Sequence, residues 1–288
     1  MTYLGEITGP TVGIVMKELV RRAIATITGL TLTYEVHDKV GYDGGEDLFT
    51  TADVAAQAVY VKSLRECFSE IGLIGEEDDT SVQGSLDGRD AFFTIDPIDG
   101  TRAFVRRQSH GIGTMIALVV DGEVVAAFVG DVMTNEIYGY RPGSSKVHRI
   151  SRFEQAELLT GYSGRPLRDQ YLLLRERPEE HTVRGRALAG KDGPFKDLEI
   201  TGGSIGISMA RLWKGEVGAA LLSPGKTTVW DMCPVWGISR ALGFGFYRTD
   251  TLEPYEYVPN SREPIIDNPH ELLVVHETHT EVLAALGR

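Results

Sequence analysis

The sequence predicts a mixed α/β protein of the α+β kind, and three observations carry that reading. Residues 11–28 repeat apolar side chains at helical spacing, with Val15, Leu19, Ile24 and Ile27 on one side and Lys17, Glu18, Arg21 and Arg22 between them. Two β-rich runs, 112–120 and 124–129, are separated by Asp121-Gly122-Glu123, a strong hairpin signal. The second half then mixes short apolar strands with helices. At 288 residues, with 42% hydrophobic and 24% charged side chains, the chain has the composition of an ordinary globular protein and can bury a large core.

Taken in order, the helix at 11–28 is followed by a polar, Gly-rich stretch, 37–46, that reads as a loop and contains Lys39. A second helix begins near Thr51 to Asp53, either of which is a suitable cap, and Ala55, Val59, Leu64 and Phe68 supply its apolar positions. On spacing alone, Asp53 is an acid stabilised by the helix dipole. A short apolar run, 71–75, ends at Glu76-Glu77-Asp78-Asp79. Such a charge run is ordinarily a solvated loop, although an acid at a strand end can also point inward. The buried strand 91–95 comes next, then the hairpin, a strand at 136–141 and a short helix at 151–159, with a domain boundary placed near residue 150. Residues 171–174 and 184–188 carry strand and short-helix signals that cannot be separated. A helix at 207–213, a strand at 217–222, a turn at 223–228, a helix from Trp230 closed by Gly243, a strand at 272–275 and a terminal helix at 280–286 complete the chain.

Charge and composition exclude several classes. The net charge is −12 with His neutral, against the basic stripe a nucleic-acid groove requires. The two cysteines, Cys67 and Cys233, have no zinc-ligand spacing and read as small buried residues. No segment approaches a membrane span, and a cytoplasmic protein is the default expectation.

The stretch that concentrates chemistry is Asp96-Pro97-Ile98-Asp99-Gly100-Thr101-Arg102-Ala103-Phe104. A strand delivers two carboxylates three residues apart, Pro97 fixes one φ and Gly100 permits an unusual one. The stretch is equally an ordinary Asp/Pro/Gly turn and a site where Asp96, Asp99 and the Ile98 carbonyl converge on a hard divalent cation. Asp231, after Trp230 at a helix start, also fits a plain N-cap. Arg102, Arg106, Arg107 and His110 read as solvated surface.

These landmarks, with Gly75-Glu76-Glu77, Trp230-Asp231 and the Asp47–Asp53 segment, resemble the inositol monophosphatase family, whose Mg²⁺-dependent members hydrolyse small phosphate esters. The resemblance implies a layered α-β-α-β-α fold of the sugar-phosphatase type, a large antiparallel sheet in the first half and a smaller sheet in the second. It implies that Glu76, Asp96 and the Ile98 carbonyl hold one Mg²⁺, that Asp96, Asp99 and Asp231 hold a second, and that a third, weaker ion sits near Glu76. Asp53 and Thr101 would orient and deprotonate the attacking water. Gly100 and Thr101 would face the phosphate, and Gly203 and Ser204 would line the substrate pocket. Family members are often homodimers, and the same is expected here.

Two departures bear on the substrate, a small phosphate ester. Met232-Cys233-Pro234-Val235 replaces a run of small residues after Asp231, and Pro224 stands where inositol phosphatases carry a carboxylate, with Lys226 nearby. A cation there suits a second anionic group better than a neutral cyclitol. Thr101-Arg102-Ala103-Phe104 and Gly113-Thr114-Met115-Ile116-Ala117-Leu118 also resemble histidinol-phosphate phosphatases of this superfamily, so an inositol-like or sugar phosphate, histidinol phosphate and a 3′(2′),5′-bisphosphate nucleotide all stand as candidate substrates, and a non-catalytic metal-binding homologue is the rival of another class.

Overall fold

The computed structural model describes residues 8–42, 44–77, 80–162, 164–279 and 281–286, and every structural statement below concerns these. Thr280, placed in the terminal helix, and Asp78 and Asp79 of the acidic run lie outside them. The first helix, α1 (Gly9–Leu30), buries Val12, Met16, Leu19, Val20, Ala23, Ile24 and Ile27, the stripe its spacing predicts. The expected loop at 37–46 is instead part of a two-stranded ribbon, β1 (Val36–Val40) and β2 (Glu46–Thr50), paired from Val36↔Thr50 to Val40↔Glu46. Most of its side chains are exposed or half-buried, so it carries none of the apolar alternation by which a core strand is recognised.

Helix α2 (Thr51–Cys67) is capped by Thr50 rather than by Thr51 or Asp53: the Thr50 hydroxyl accepts from the Asp53 amide, and the Asp53 carboxylate accepts from the Thr50 amide. Asp53 completes this capping box at the third helical position. Cys67, at the helix end, is exposed, contrary to its expected burial; Cys233 is buried, and both are free thiols.

The large sheet contains β3 (Gly72–Gly75), β4 (Ser81–Val82), β5 (Ser85–Leu86), β6 (Arg89–Asp99), β7 (Gly113–Val120), β8 (Glu123–Asp131), β9 (Glu136–Tyr140), β10 (His148–Ile150) and β11 (Ala156–Leu158). Their order is β11-β10-β9-β8-β7-β6-β3-β4, with β5 paired to β6; β3 runs parallel to β6 and the other pairs are antiparallel. The β7–β8 turn has positive φ at both Asp121 (50°) and Gly122 (77°), the requirement of a two-residue hairpin loop. The helix expected at 151–159 is a turn plus β11. The Ser151 hydroxyl accepts from the Phe153 and Gln155 amides, Glu154 is left-handed, and its carboxylate pairs with Lys17 and Arg21 of α1.

A short helix, α3 (Thr101–Val105), follows β6. Beyond the large sheet lie β12 (Tyr171–Leu174), α4 (Val183–Arg186), β13 (Asp197–Ile200), α5 (Ile205–Trp213), β14 (Ala219–Leu222), β15 (Gly225–Thr228), α6 (Val229–Ala241), β16 (Phe244–Arg248), β17 (Ile265–Asn268), β18 (Leu272–His276) and α7 (Glu281–Leu286). The second sheet runs β13-β12-β14-β18-β16, with β12 parallel to both neighbours. The turn expected at 223–228 continues into strand β15, which pairs with β17 in a ribbon apart from both sheets.

Alternation along the strands fixes the layers, because successive residues face opposite sides of a sheet. In β7, Ile116, Leu118 and Val120 join the core under α1 and α2, while Met115, Ala117 and Val119 join the core around α5 and α6. In the second sheet, Leu173, Ala220, Leu222, Leu272 and Val274 face that same middle core; Leu172, Leu174, Ala219, Leu221, Leu273 and Val275 face a third core with Leu188, Phe195 and Val282. The sequence of layers is thus α-β-α-β-α.

One glycine is fixed by geometry. Gly100 caps α3 at φ 93°, and a Cβ there would lie 2.4 Å from the Gly111 carbonyl oxygen and 2.8 Å from the Ser204 amide nitrogen, which hydrogen-bond to each other at 2.9 Å. Gly100→Ala is therefore expected to destabilise the fold by more than the roughly 1–2 kcal/mol of a left-handed residue. Urea unfolding reads this, and an unchanged midpoint would contradict it.

Candidate metal and catalytic site

Asp96 and Asp99 lie three positions apart, which in a regular strand would send them to opposite faces. The pairing of β6 with β7 breaks between them: Asp96 sits opposite Met115, but Asp99 sits opposite Gly113. This irregularity turns both carboxylates into one cavity, where Asp231 from the first turn of α6 meets them. A carboxylate oxygen from each of Asp96, Asp99 and Asp231 lies within 4.8 Å of the others. Thr228, not Asp231, caps α6; its hydroxyl accepts from the Asp231 amide at 3.3 Å and donates to the Asp231 carboxylate at 2.9 Å.

The other predicted residues are disposed around this cluster. Glu76, Ile98, Gly100, Thr101 and Gly203 line the same cavity, which has a volume of about 460 Å³. Glu76 and Glu77 share the Lys39 ammonium at 2.8 and 2.7 Å, so the β1–β2 ribbon brings a cation to the acids that end β3. Asp53 is fully buried, held by the Thr50 amide (2.8 Å) and hydroxyl (2.6 Å), and its other oxygen accepts from Thr101 Oγ1 at 3.2 Å. The Thr101 hydroxyl also lies 3.0 Å from the Ile98 carbonyl.

Ser204 departs from its expected place in the pocket wall. It is 0% exposed, caps α5, and donates its hydroxyl to Asp99. The Ile205 and Gly206 amides donate to the same carboxylate at 3.0 and 2.7 Å, so α5 presents its N-terminus to Asp99. Lys226 borders a smaller adjoining cavity rather than this one.

Tyr42, Arg175 and Glu176 line the cavity without having been singled out in the sequence. Tyr42 donates to the Glu76 carbonyl at 3.2 Å and tilts against Trp230, with 5.4 Å between ring centres. Arg175 follows β12 immediately, with Glu176 beside it. Its signal was a charge at the carboxyl end of a parallel strand, the end at which open α/β sheets place ligands.

The electrostatics are those of buried acids crowded together. Asp96 is 2% exposed, and its Oδ1 has no hydrogen-bond partner. Burial, then the neighbouring charges of Glu76, Asp99 and Asp231, push its carboxyl far above the usual range. Burial likewise raises Asp99 and Asp53 to about 6 and Glu76 to about 8, against the Ser204 and Gly206 bonds to Asp99, the Thr50 bonds to Asp53, and Lys39 beside Glu76. An orphaned buried oxygen among carboxylates and a carbonyl fits a hard divalent cation, and Asp96, Asp99 and Asp231 can hold one.

A stability test follows. A carboxylate whose pKa is raised on folding binds its proton more tightly in the native state, so its contribution is present at low pH and lost as pH rises through the shifted range. For these acids that range runs from about 4 to about 8. His181 adds the same sign at higher pH. Burial opposes its charging, but Glu176 and Glu271 prevail and raise it from 6.5 to about 9. In chelator, the denaturation midpoint should fall from pH 5 to pH 8, and excess Mg²⁺ should remove most of that fall. A midpoint that rises with pH in chelator would contradict the reading.

Comparison with known proteins places nearly the whole chain in one family. The model of the inositol monophosphatase family matches residues 12–286. The Nus factor SuhB of Escherichia coli (strain K12) is 35% identical over 109 residues, covering 36% of this chain and 39% of that protein; the match therefore spans about two fifths of that curated relative. A histidinol-phosphatase of Chlorobaculum parvum is 27% identical over 205 residues, covering 67% of this chain and 70% of that protein. Among solved structures, a Thermotoga maritima IMPase superposes with a TM-score of 0.70 at 18% identity, covering 95% of this chain and 96% of that one. The extragenic suppressor protein suhB of Bartonella henselae gives 0.71 at 18%, covering 96% and 98%. These structural likenesses establish a shared fold. No helix among the described residues is long and apolar enough to cross a membrane. The family match over nearly the whole chain, together with that fold, shows that the protein belongs to the inositol monophosphatase family.

Proposed function

We propose that this chain is a Mg²⁺-dependent phosphomonoesterase acting on a small phosphorylated metabolite. The observation that carries this reading is the convergence of Asp96, Asp99 and Asp231 within 4.8 Å, with one Asp96 oxygen buried and unpartnered, beside the Asp53–Thr101 pair. Asp96, Asp99 and Asp231 would hold one Mg²⁺, and Asp96, Glu76 and the Ile98 carbonyl a second. Bound there, Mg²⁺ supplies charge neutralisation at the phosphoryl oxygens and a lower pKa for the attacking water.

The chain's own groups account for the remainder. Thr50 fixes Asp53, and Asp53 takes the Thr101 hydrogen, leaving the Thr101 oxygen to accept from a water in the cavity. As that water attacks phosphorus, its proton passes to Thr101 while the Thr101 proton passes to Asp53. The ester P–O bond breaks, and the alcohol leaves with a proton from solvent. Asp99 is oriented by Ser204, Ile205 and Gly206, and Asp231 by Thr228, so neither acid must reorganise during the reaction. No side-chain nucleophile is required.

A panel of cyclitol, sugar, nucleotide and histidinol phosphates in Mg²⁺, scored by kcat/KM for phosphate release, tests the proposal. The name of the Chlorobaculum relative puts histidinol phosphate on that panel. Release from at least one ester is expected. Mg²⁺ binding with no hydrolysis of any ester would favour a non-catalytic metal-binding homologue instead.

A further inference from the structure

Beside the carboxylate cavity lies a second of about 100 Å³; Arg175, Glu176 and Asp231 border both. Its far side is formed by Lys226 and Asn268, from the paired strands β15 and β17. At about 30 Å³ per water, the space matches a carboxylate or a phosphate rather than a ring.

Arg175 is anchored from the interior. Its Nε donates to Glu176 Oε1 at 2.6 Å. The other Glu176 oxygen lies 3.6 Å from His181 Nε2, and His181 Nδ1 lies 3.0 Å from Glu271 Oε1. The side chains of His181 and Glu271 are both 0% exposed, and Glu271 is tied further to Thr182 and Thr249. This chain of charges commits Glu176 to Arg175 and His181 and leaves the guanidinium charge facing the two cavities. Among the described residues, no hydrogen bond uses the Arg175 Nη donors, and Lys226 has no ion-pair partner. Glu176 meets the Nε edge of this half-buried guanidinium, and its unused Nη donors suit a second anion entering the cavity.

We infer that this second cavity receives a further anionic group, carboxylate or phosphate, carried by the leaving alcohol of the substrate, with Arg175 and Lys226 as its receivers. The inference rests on the phosphomonoesterase reading and names the substrate class for it. It also disfavours esters whose alcohol carries an ammonium at that position.

The test uses linear alkyl phosphates of three to six carbons whose far end bears a hydroxyl, a carboxylate, a phosphate or an ammonium, assayed in Mg²⁺. At the chain length that spans the two cavities, kcat/KM for one of the anionic ends should exceed that for the hydroxyl end by on the order of tenfold to a hundredfold, the worth of a charge-assisted contact. The ammonium end should be poorest. The better of the carboxylate and phosphate ends identifies the anion. Arg175→Gln and Lys226→Gln should each move the anion-to-hydroxyl ratio towards one. A wild-type ratio near one at every length, or a ratio unmoved in both variants, would overturn the inference. The Asp99 and Asp231 charges also act on Arg175; a variant that lowers all esters alike would show that Arg175 serves those acids and would overturn its part as a receiver. Calorimetric titration of the matching phosphonates, with a methylene in place of the ester oxygen, reads the preference without turnover. Anion-preferring phosphonate binding without hydrolysis would sink the phosphatase reading and keep the subsite. Hydrolysis without preference would do the reverse, and the absence of both would overturn the two together.

Discussion

Asp96→Asn is expected to lower phosphate release at least about a hundredfold, more than is lost with an outer-sphere partner of a metal ligand, and yet to stabilise the metal-free protein. The two effects have one cause. Asp96 is 2% exposed, has an oxygen without a partner, and is surrounded by Glu76, Asp99 and Asp231. With no cation present its charge is a liability, and an amide of the same shape removes the repulsion while offering donors to the neighbouring carboxylates. A gain of about 1–3 kcal/mol is reasonable for relieving an unsatisfied buried polar group, equivalent to roughly 5 °C in Tm for a chain of this size. Excess Mg²⁺ should reverse the order, because the wild type then gains binding energy that the variant lacks. Calorimetric Tm values in chelator and in Mg²⁺ check both signs. A variant that keeps wild-type turnover, or melts below the wild type in chelator, would contradict the account.

The second large effect is expected at Asp53. Burial raises its carboxyl to about 6, against the lowering pull of the Thr50 bonds. As the proton acceptor for Thr101 it must be ionised, so kcat/KM should show an acid limb that rises as Asp53 loses its proton and levels off above it. Asp53→Asn should lower kcat by about 10²–10⁴-fold, leave KM nearly unchanged and erase that acid limb. An Asn oxygen can still accept from the Thr50 amide, so the helix cap would lose only about 1 kcal/mol. Thr101→Ser should retain most activity and Thr101→Val should lose it, because only the hydroxyl connects Asp53 to the cavity. An acid limb that persists in Asp53→Asn would assign the base elsewhere.

Much of this arrangement was legible in the sequence, for identifiable reasons. Helices α1 and α2 and the β7–β8 hairpin carry strong periodicity or turn chemistry, and each forms where expected. The spacing of Asp96 and Asp99 was visible, but the turn expected between them is a break in strand register, which depends on how β7 pairs with β6 and not on local residues. Residues 37–46 and 223–228 read as a loop and a turn because the β1–β2 and β15–β17 ribbons they enter lie outside the main sheets and most of their side chains escape full burial. The family resemblance puts both Gly203 and Ser204 against substrate; Gly203 lines the cavity, but the turn into α5 sends the serine inward to Asp99. Arg175 carries no local signal of its setting because that setting rests on Glu271, 90 positions beyond His181 and brought beside it only once β12 and β18 share a sheet.

The proposed activity makes the acidic cluster a Mg²⁺ site for phosphoryl transfer to water. Its most direct test is phosphate release from the best ester of the panel, measured after exhaustive chelation and then during titration with Mg²⁺. Release should sit at background in chelator, recover saturably with Mg²⁺, and recover little in Asp96→Asn and Asp231→Asn. Equal rates in chelator and in Mg²⁺ would contradict it.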